Sequence, residues 1–261
     1  MNSPLWFSIP QLASCRSKVE RAAENIKNFQ SELDVFQVEP YEIVSDQEPN
    51  TRVHVYRIRG QSVAESRFSI LAGEIVYHLR SSLDHLAHSL VLSAGNTPTR
   101  NTAFPVFSVP PRCRAKPNIL TVYERHVQGI TPNAQAIIES LQPYKAGRGI
   151  DHPLLIINKM NITDKHHALN ITLTNVWMRA ITFNDGLGTF IGPAPEPITA
   201  VDGAELIRII PILGEMNVKP HFSFQVQFAE VGSLKNQPVI PTLAQLLDFT
   251  VDVISKFGSE F

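Results

Sequence analysis

Apolar residues at Leu12, Cys15, Val19, Ala22, Ala23, Ile26, Phe29, Leu33 and Phe36 recur at intervals of three and four, with charged residues between them. That spacing predicts an amphipathic helix. Beyond Pro40 the rhythm shortens. YEIVSDQ and TRVHVYRIRG alternate apolar with polar positions around the turn-forming Glu48-Pro49-Asn50, which predicts a β-hairpin. A second, longer helix is predicted from Val63 to the stop signal Gly95-Asn96. At about 100° per residue, Leu71, Ile75, Leu79, Leu83, Leu86 and Leu90 share one side of it. Glu74, His78, Ser81, His85 and His88 fall nearly opposite, and Arg80 with Asp84 forms a lateral strip.

Prolines break the next stretch, TPTRNTAFPVFSVPPRCRAKP, because each lacks an amide donor and fixes its backbone, so a loop or an extended strap is expected. Thr131 followed by Pro132 opens a helix expected to run to Leu141. HPLLIINKMNITDKHHALNITLT begins with helical spacing and ends with β-like alternation, the change falling at Thr163 to His167. Polar residues at such a junction are well placed to reach a site. VWMRAITF, ELIRIIPIL and HFSFQVQFAE are expected strands, and Thr242 to Phe257 a final helix. The expected fold class is α+β, a single domain over 1–261. It has an N-terminal helix and hairpin (10–60), a helical core (63–165) around the 63–95 helix, and a mixed or antiparallel sheet mainly from 168–230.

The chain has 261 residues, 43% of them hydrophobic, enough to bury a core. Its 23 basic residues nearly balance 24 acidic ones, so attraction to nucleic acid would have to come from a local patch. Two cysteines, Cys15 and Cys113, are too few for a disulfide framework or a thiolate zinc site. No stretch is long enough to span a bilayer, and no leader is evident, so a cytoplasmic location with no membrane partner is expected. On that expectation the Asn161 and Asn170 sequons carry no glycan. Gly186-x-Gly188 lacks the remaining glycine and the helix of a phosphate loop.

Arg80 and His85 are spaced as Arg-x4-His, which resembles the motif of HEPN domains, helical modules many of which are metal-independent ribonucleases of stress and phage defence. The resemblance implies an RNA partner, His85 as general base or acid, and Arg80 as the group stabilising phosphoryl charge. On a regular helix the two side chains point about 140° apart, which would call for a long reach or a homodimer. A broader resemblance joins GEIVYHLRSSLDHLAHSLV, FPV, LQPY and INKMNITDKHHAL. It is to an uncharacterised bacterial family carrying an LRSALDHL-type helix and a later NIDKH-type motif. That likeness implies a shared site at Glu74, Arg80, Asp84, Asp164, Lys165 and His166, with His78 beside it, and it implies no particular reaction.

Two further readings stand beside the ribonuclease. In a non-enzymatic binding module, Arg80 and Asp84 are a structural i,i+4 ion pair, or they pair across to Asp164 and Lys165. In a metal-dependent hydrolase, His85, His88 and His166 supply the ligands, whereas the ribonuclease reading needs no cofactor.

Overall fold

The structure is a computed structural model. It describes residues 4–36, 42–60, 64–111, 121–147, 151–169, 171–183, 188–191, 201–211, 218–229 and 232–261. Val63, Cys113, Asn170 and Gly186 lie outside the described residues. The fold is α+β, with helices α1 (Ala13–Phe36), α2 (Ala64–Ser93), α3 (Val122–His126), α4 (Pro132–Ser140), α5 (Pro143–Ala146), α6 (Pro153–His166) and α7 (Val239–Ser255). The strands are β1 (Glu42–Gln47), β2 (His54–Arg59), β3 (Ile171–Phe183), β4 (Gly188–Ile191), β5 (Glu205–Pro211) and β6 (Val218–Phe228). Among the described residues no helix is long and apolar enough to cross a membrane.

The chain divides into two compact units. One comprises Met1–Asn28, Ile70–Leu169 and Ile240–Phe261 and holds a helical core. Leu83, Leu86, Ala87, Leu90 and Val91 of α2 pack with Leu12, Cys15 and Val19 at the chain's start, Ala134 and Ile138 of α4, and Val253 and Ile254 of α7. Burial of such side chains contributes about 1.5–3 kcal/mol each, which fixes the central helix as the scaffold of this unit. The predicted aliphatic side of α2 is therefore the buried side, although it is wider than expected: Ser82 and Ser89 are buried too. Ser82 Oγ donates to Leu79 O (2.7 Å) and Ser89 Oγ to Gln11 O (2.9 Å), so neither hydroxyl is left unsatisfied.

The other unit comprises Phe29–Ser69 and Asn170–Val239. Its four-stranded sheet has the order β1-β2-β5-β4, and β3 pairs with β6 separately; every pairing is antiparallel. The hairpin runs as expected, Ile43 opposite Ile58 and Gln47 opposite His54. Asn50 closes the turn at φ 59°, a left-handed conformation that asparagine tolerates better than most residues. Arg208 ties the sheet to that turn, bonding Glu48 at 2.5 Å and Glu205 at 2.6 Å. An apolar groove of about 450 Å³ is lined by Val35, Phe36 and Phe68, with the Arg67–Glu32 ion pair at its edge.

Several boundaries differ from the sequence reading. Helix α6 continues through Thr163, Asp164 and Lys165, so the change to extended backbone comes at His167. The helix starts firmly, with the His152 ring accepting from Leu154 N–H (3.2 Å) and Pro153 at the first position. It persists because His167 N–H still bonds Thr163 O at 2.7 Å. Helix α7 starts at Val239, upstream of Thr242, since Pro241 falls in its first turn, where no amide donor is needed. Asn161 is buried within α6. The helix α3 was not anticipated, although Thr121 and Glu124 form a reciprocal capping box at its start.

The proline-rich connection contains a strap without regular secondary structure, residues 103–107, and two groups of side chains hold its backbone. Gln142, fully buried, donates from Nε2 to Pro105 O (2.9 Å) and to Ile138 O (3.2 Å), and its Oε1 accepts from Phe107 N–H (3.1 Å). The amide thus stands in for a neighbouring strand. Replacing it leaves a donor and an acceptor of the strap unpaired, at about 1–3 kcal/mol for each such group. Gln142→Ala is expected to lower unfolding free energy by about 3 kcal/mol, measured by urea denaturation; a loss below about 1 kcal/mol would show that water replaces the amide without penalty.

Candidate functional site

The lateral strip of α2 faces the strap. Arg80 Nη2 lies 2.8 Å from Asp84 Oδ1, and the same nitrogen donates to Phe104 O at 2.8 Å. Asp84 Oδ1 in turn accepts from Phe104 N–H at 3.0 Å. One ion pair therefore satisfies both backbone groups of a residue whose side chain is wholly buried. The Arg80 side chain is 13% exposed, against 36% for Asp84. Burial holds the Arg80 guanidinium below its ordinary value, with the Asp84 carboxylate opposing that shift. Its remaining terminal nitrogen, Nη1, is buried and has no hydrogen-bond partner among the described residues.

The i,i+4 pairing expected from the sequence is present, and the pairing across to Asp164 and Lys165 is not. Asp164 meets α2 two turns earlier. A Cβ built on Gly73 would lie 2.1 Å from Asp164 Oδ1 and 2.5 Å from its Cγ, so only glycine admits the carboxylate there. Seven residues separate Gly73 from Arg80, about 10 Å along the helix, and a carboxylate seated at one cannot reach the other. Among the described residues Asp164 has no hydrogen bond or ion pair. Burial raises its pKa, and the nearby Glu74 carboxylate adds to the rise. Glu74, exposed on the next residue, accepts from the buried Asn25 amide at 3.4 Å. Lys165 and His166, although adjacent to Asp164 in sequence, are exposed.

The Glu/His side of α2 faces α1. Lys18 Nζ sits 5.1 Å from the centroid of the half-exposed Tyr77 ring, a cation–π contact. Burial lowers the pKa of His78 first, the Lys18 and Arg21 cations lower it further, and Glu74 opposes them. His85 is likewise lowered by burial, then by Lys18 and His88, against Asp84. Both imidazoles are therefore held neutral beside an ammonium. Arg21 bonds Glu24 at 3.3 Å, whereas Lys18 has no carboxylate within ion-pair distance among the described residues.

The structure thus sorts the predicted residues into three places. Arg80 and Asp84 join Phe104; Glu74 and Asp164 meet at Gly73; His78 and His85 gather around Lys18, with His88 exposed beside them. Arg80 and His85 address different neighbours, as their angular separation predicts. No group of three or more His, Cys, Asp or Glu side chains arranged to hold a metal ion occurs among the described residues, so His85, His88 and His166 do not form one. Sequence reasoning missed Lys18, Tyr77, Gln142 and His126. Tyr77 precedes His78 and projects to the same surface, but Lys18 depends on how α1 packs against α2. Comparison with known protein families, curated proteins and solved structures finds no match.

Gly73 and Asp164 form a pair whose coupling can be measured. Gly73→Ala is expected to destabilise by about 1–3 kcal/mol, as overpacking does, despite alanine's helix preference of about 1 kcal/mol. In an Asp164→Ala background the same change should cost at least about 1 kcal/mol less. Additive effects in a urea-denaturation double-mutant cycle would mean the close approach is not what requires glycine.

Proposed function

We propose that this protein is a binding module whose contact surface is the α1–α2 face bearing Lys18, Tyr77, His78, His85 and His88, and that RNA is the partner this face fits best. The Arg80–Asp84 pair is structural in this reading. The observation that carries the proposal is the position of Lys18: its ammonium lies over the half-exposed Tyr77 ring and acts on the His78 and His85 imidazoles, and among the described residues no carboxylate lies within ion-pair distance of it. An unpaired ammonium attracts a phosphate, an exposed aromatic ring offers a base a stacking surface, and neutral imidazoles can donate or accept without adding charge. The whole chain carries a formal charge of −1, so such a patch has to act locally.

A second reading, the HEPN-like metal-independent ribonuclease of stress or phage defence, draws on the same face. It is favoured by His85 being held neutral, the state in which an imidazole can take a proton from a 2′-hydroxyl. Arg80 supports it less, because its guanidinium is occupied by Asp84 and Phe104 O; Lys18 would be the phosphate-facing cation instead. The homodimer suggested by the separation of Arg80 and His85 belongs to this reading alone.

Both are tested with purified protein and a labelled single-stranded RNA, following fluorescence anisotropy and, with and without chelator, strand scission. Lys18→Ala and Tyr77→Ala are each expected to weaken binding by about tenfold, the scale of one lost phosphate or stacking contact. Arg80→Ala is expected to lower the melting temperature and, once folded, to bind nearly as wild type. Wild-type protein that does not bind RNA at low salt removes the proposal. Scission that resists chelator and disappears in His85→Ala selects the ribonuclease.

A further inference from the structure

Helix α3 ends at His126, directly beneath the strap. The backbone carbonyl of His126 accepts from Ala103 N–H at 3.4 Å, and its ring lies 6.2 Å from the ring of Phe107. The ring nitrogen Nδ1 is buried with no hydrogen-bond partner among the described residues. It shares that condition with Arg80 Nη1, the free arm of the guanidinium that holds Phe104. Two buried polar groups left unpaired beside one clamp are an energetic weak point, since each forgoes the hydrogen bond that would offset its desolvation.

The charges that bear on the His126 ring come from Arg80 and Asp84 on α2 and from Arg125 on its own helix, while the strap presents the uncharged Phe107 ring. We propose that His126 is a proton-operated latch for the strap, so that uptake of a proton by its ring loosens the Arg80–Asp84 hold on Phe104 and frees residues 103–107 from α2. A protonated imidazole places a second cation beside the buried guanidinium and competes with it for the Asp84 carboxylate. That carboxylate oxygen is the one bonded to Phe104 N–H, so any shift of Asp84 toward His126 acts on the strap directly.

The sign follows from linkage. Burial lowers the His126 pKa below the ordinary 6.5, and Arg80 lowers it further. In the released state the ring regains its ordinary affinity, so release binds a proton and is favoured as pH falls below about 6.5. About one pH unit above that value, proton uptake no longer favours release. One step of this kind can change the release equilibrium by at most about tenfold between about pH 7.5 and about pH 5.5. Burial lowers the pKa of His85 too, and that ring feels Asp84 as well as Lys18, so the comparison with a His126 variant is what assigns the strap's response to His126.

Hydrogen exchange at the Phe104 and Phe107 amides tests the latch, since Asp84 and Gln142 hold those two protons. In the wild-type protein, protection corrected for intrinsic rates is expected to fall by several-fold, up to about tenfold, between about pH 7.5 and about pH 5.5. In His126→Gln, which cannot be protonated, the fall should vanish. An equal fall in that variant, or none in the wild type, overturns the proposal. Should the variant fail to fold, the titration of the His126 ring in wild-type protein decides by NMR. A midpoint below 6.5 that coincides with shifts at Phe104 supports the latch, and a midpoint at or above it, or strap signals that do not follow the ring, overturns it.

Discussion

The helical unit depends on a backbone residue that has no strand beside it. Phe104 is buried completely, yet its peptide N–H and C=O must be paired or incur the full cost of desolvation. Asp84 and Arg80 supply the missing partners from one turn of α2. The arrangement explains why a charged pair is tolerated against the core: each charge neutralises the other, and each also bonds the strap. A buried ion pair by itself is a poor source of stability. Here its value lies in fixing a connection that regular secondary structure cannot fix, because the neighbouring prolines exclude it.

Periodicity made much of this architecture legible. The two long helices, the hairpin and three of the four later strands are all places where apolar residues recur at a steady interval, whereas β4 (Gly188–Ile191) is too short to show one. The lateral position of Arg80 and Asp84 also followed from their angular separation from the aliphatic side. What could not be read is what those residues touch. Phe104 is twenty residues from Asp84, and nothing in FPV signals that its backbone, rather than its side chain, is the point of contact. Gln142 stood out only as the residue after a helix expected to end at Leu141. The end of α6 was misplaced because Thr163 and the charged residues after it suggest a break, whereas the hydrogen bond from His167 back to Thr163 continues the helix.

The sequence also drew together residues that the fold keeps apart. Glu74, Arg80, Asp84, Asp164, Lys165 and His166 suggested one site, but a helix of 30 residues presents its side chains to several neighbours in turn. Gly73 illustrates the principle. Its missing side chain admits the Asp164 carboxylate, and the partly buried acid that results is a local consequence of helix packing with no link to Arg80. The imidazoles separate in the same way, two toward Lys18 and one, His126, toward the strap.

Gln142 and the Arg80–Asp84 pair recognise the strap through peptide groups that every amino acid except proline provides in full. Proline itself is acceptable at 105, where only the carbonyl is engaged. Identity within the strap is therefore set by packing instead, at the buried Phe104 and Pro105, at Val106 against the core and at the Phe107 ring beside Tyr123 and His126. The memory of this connection resides in three side chains elsewhere, which specify the path of a segment without specifying its composition.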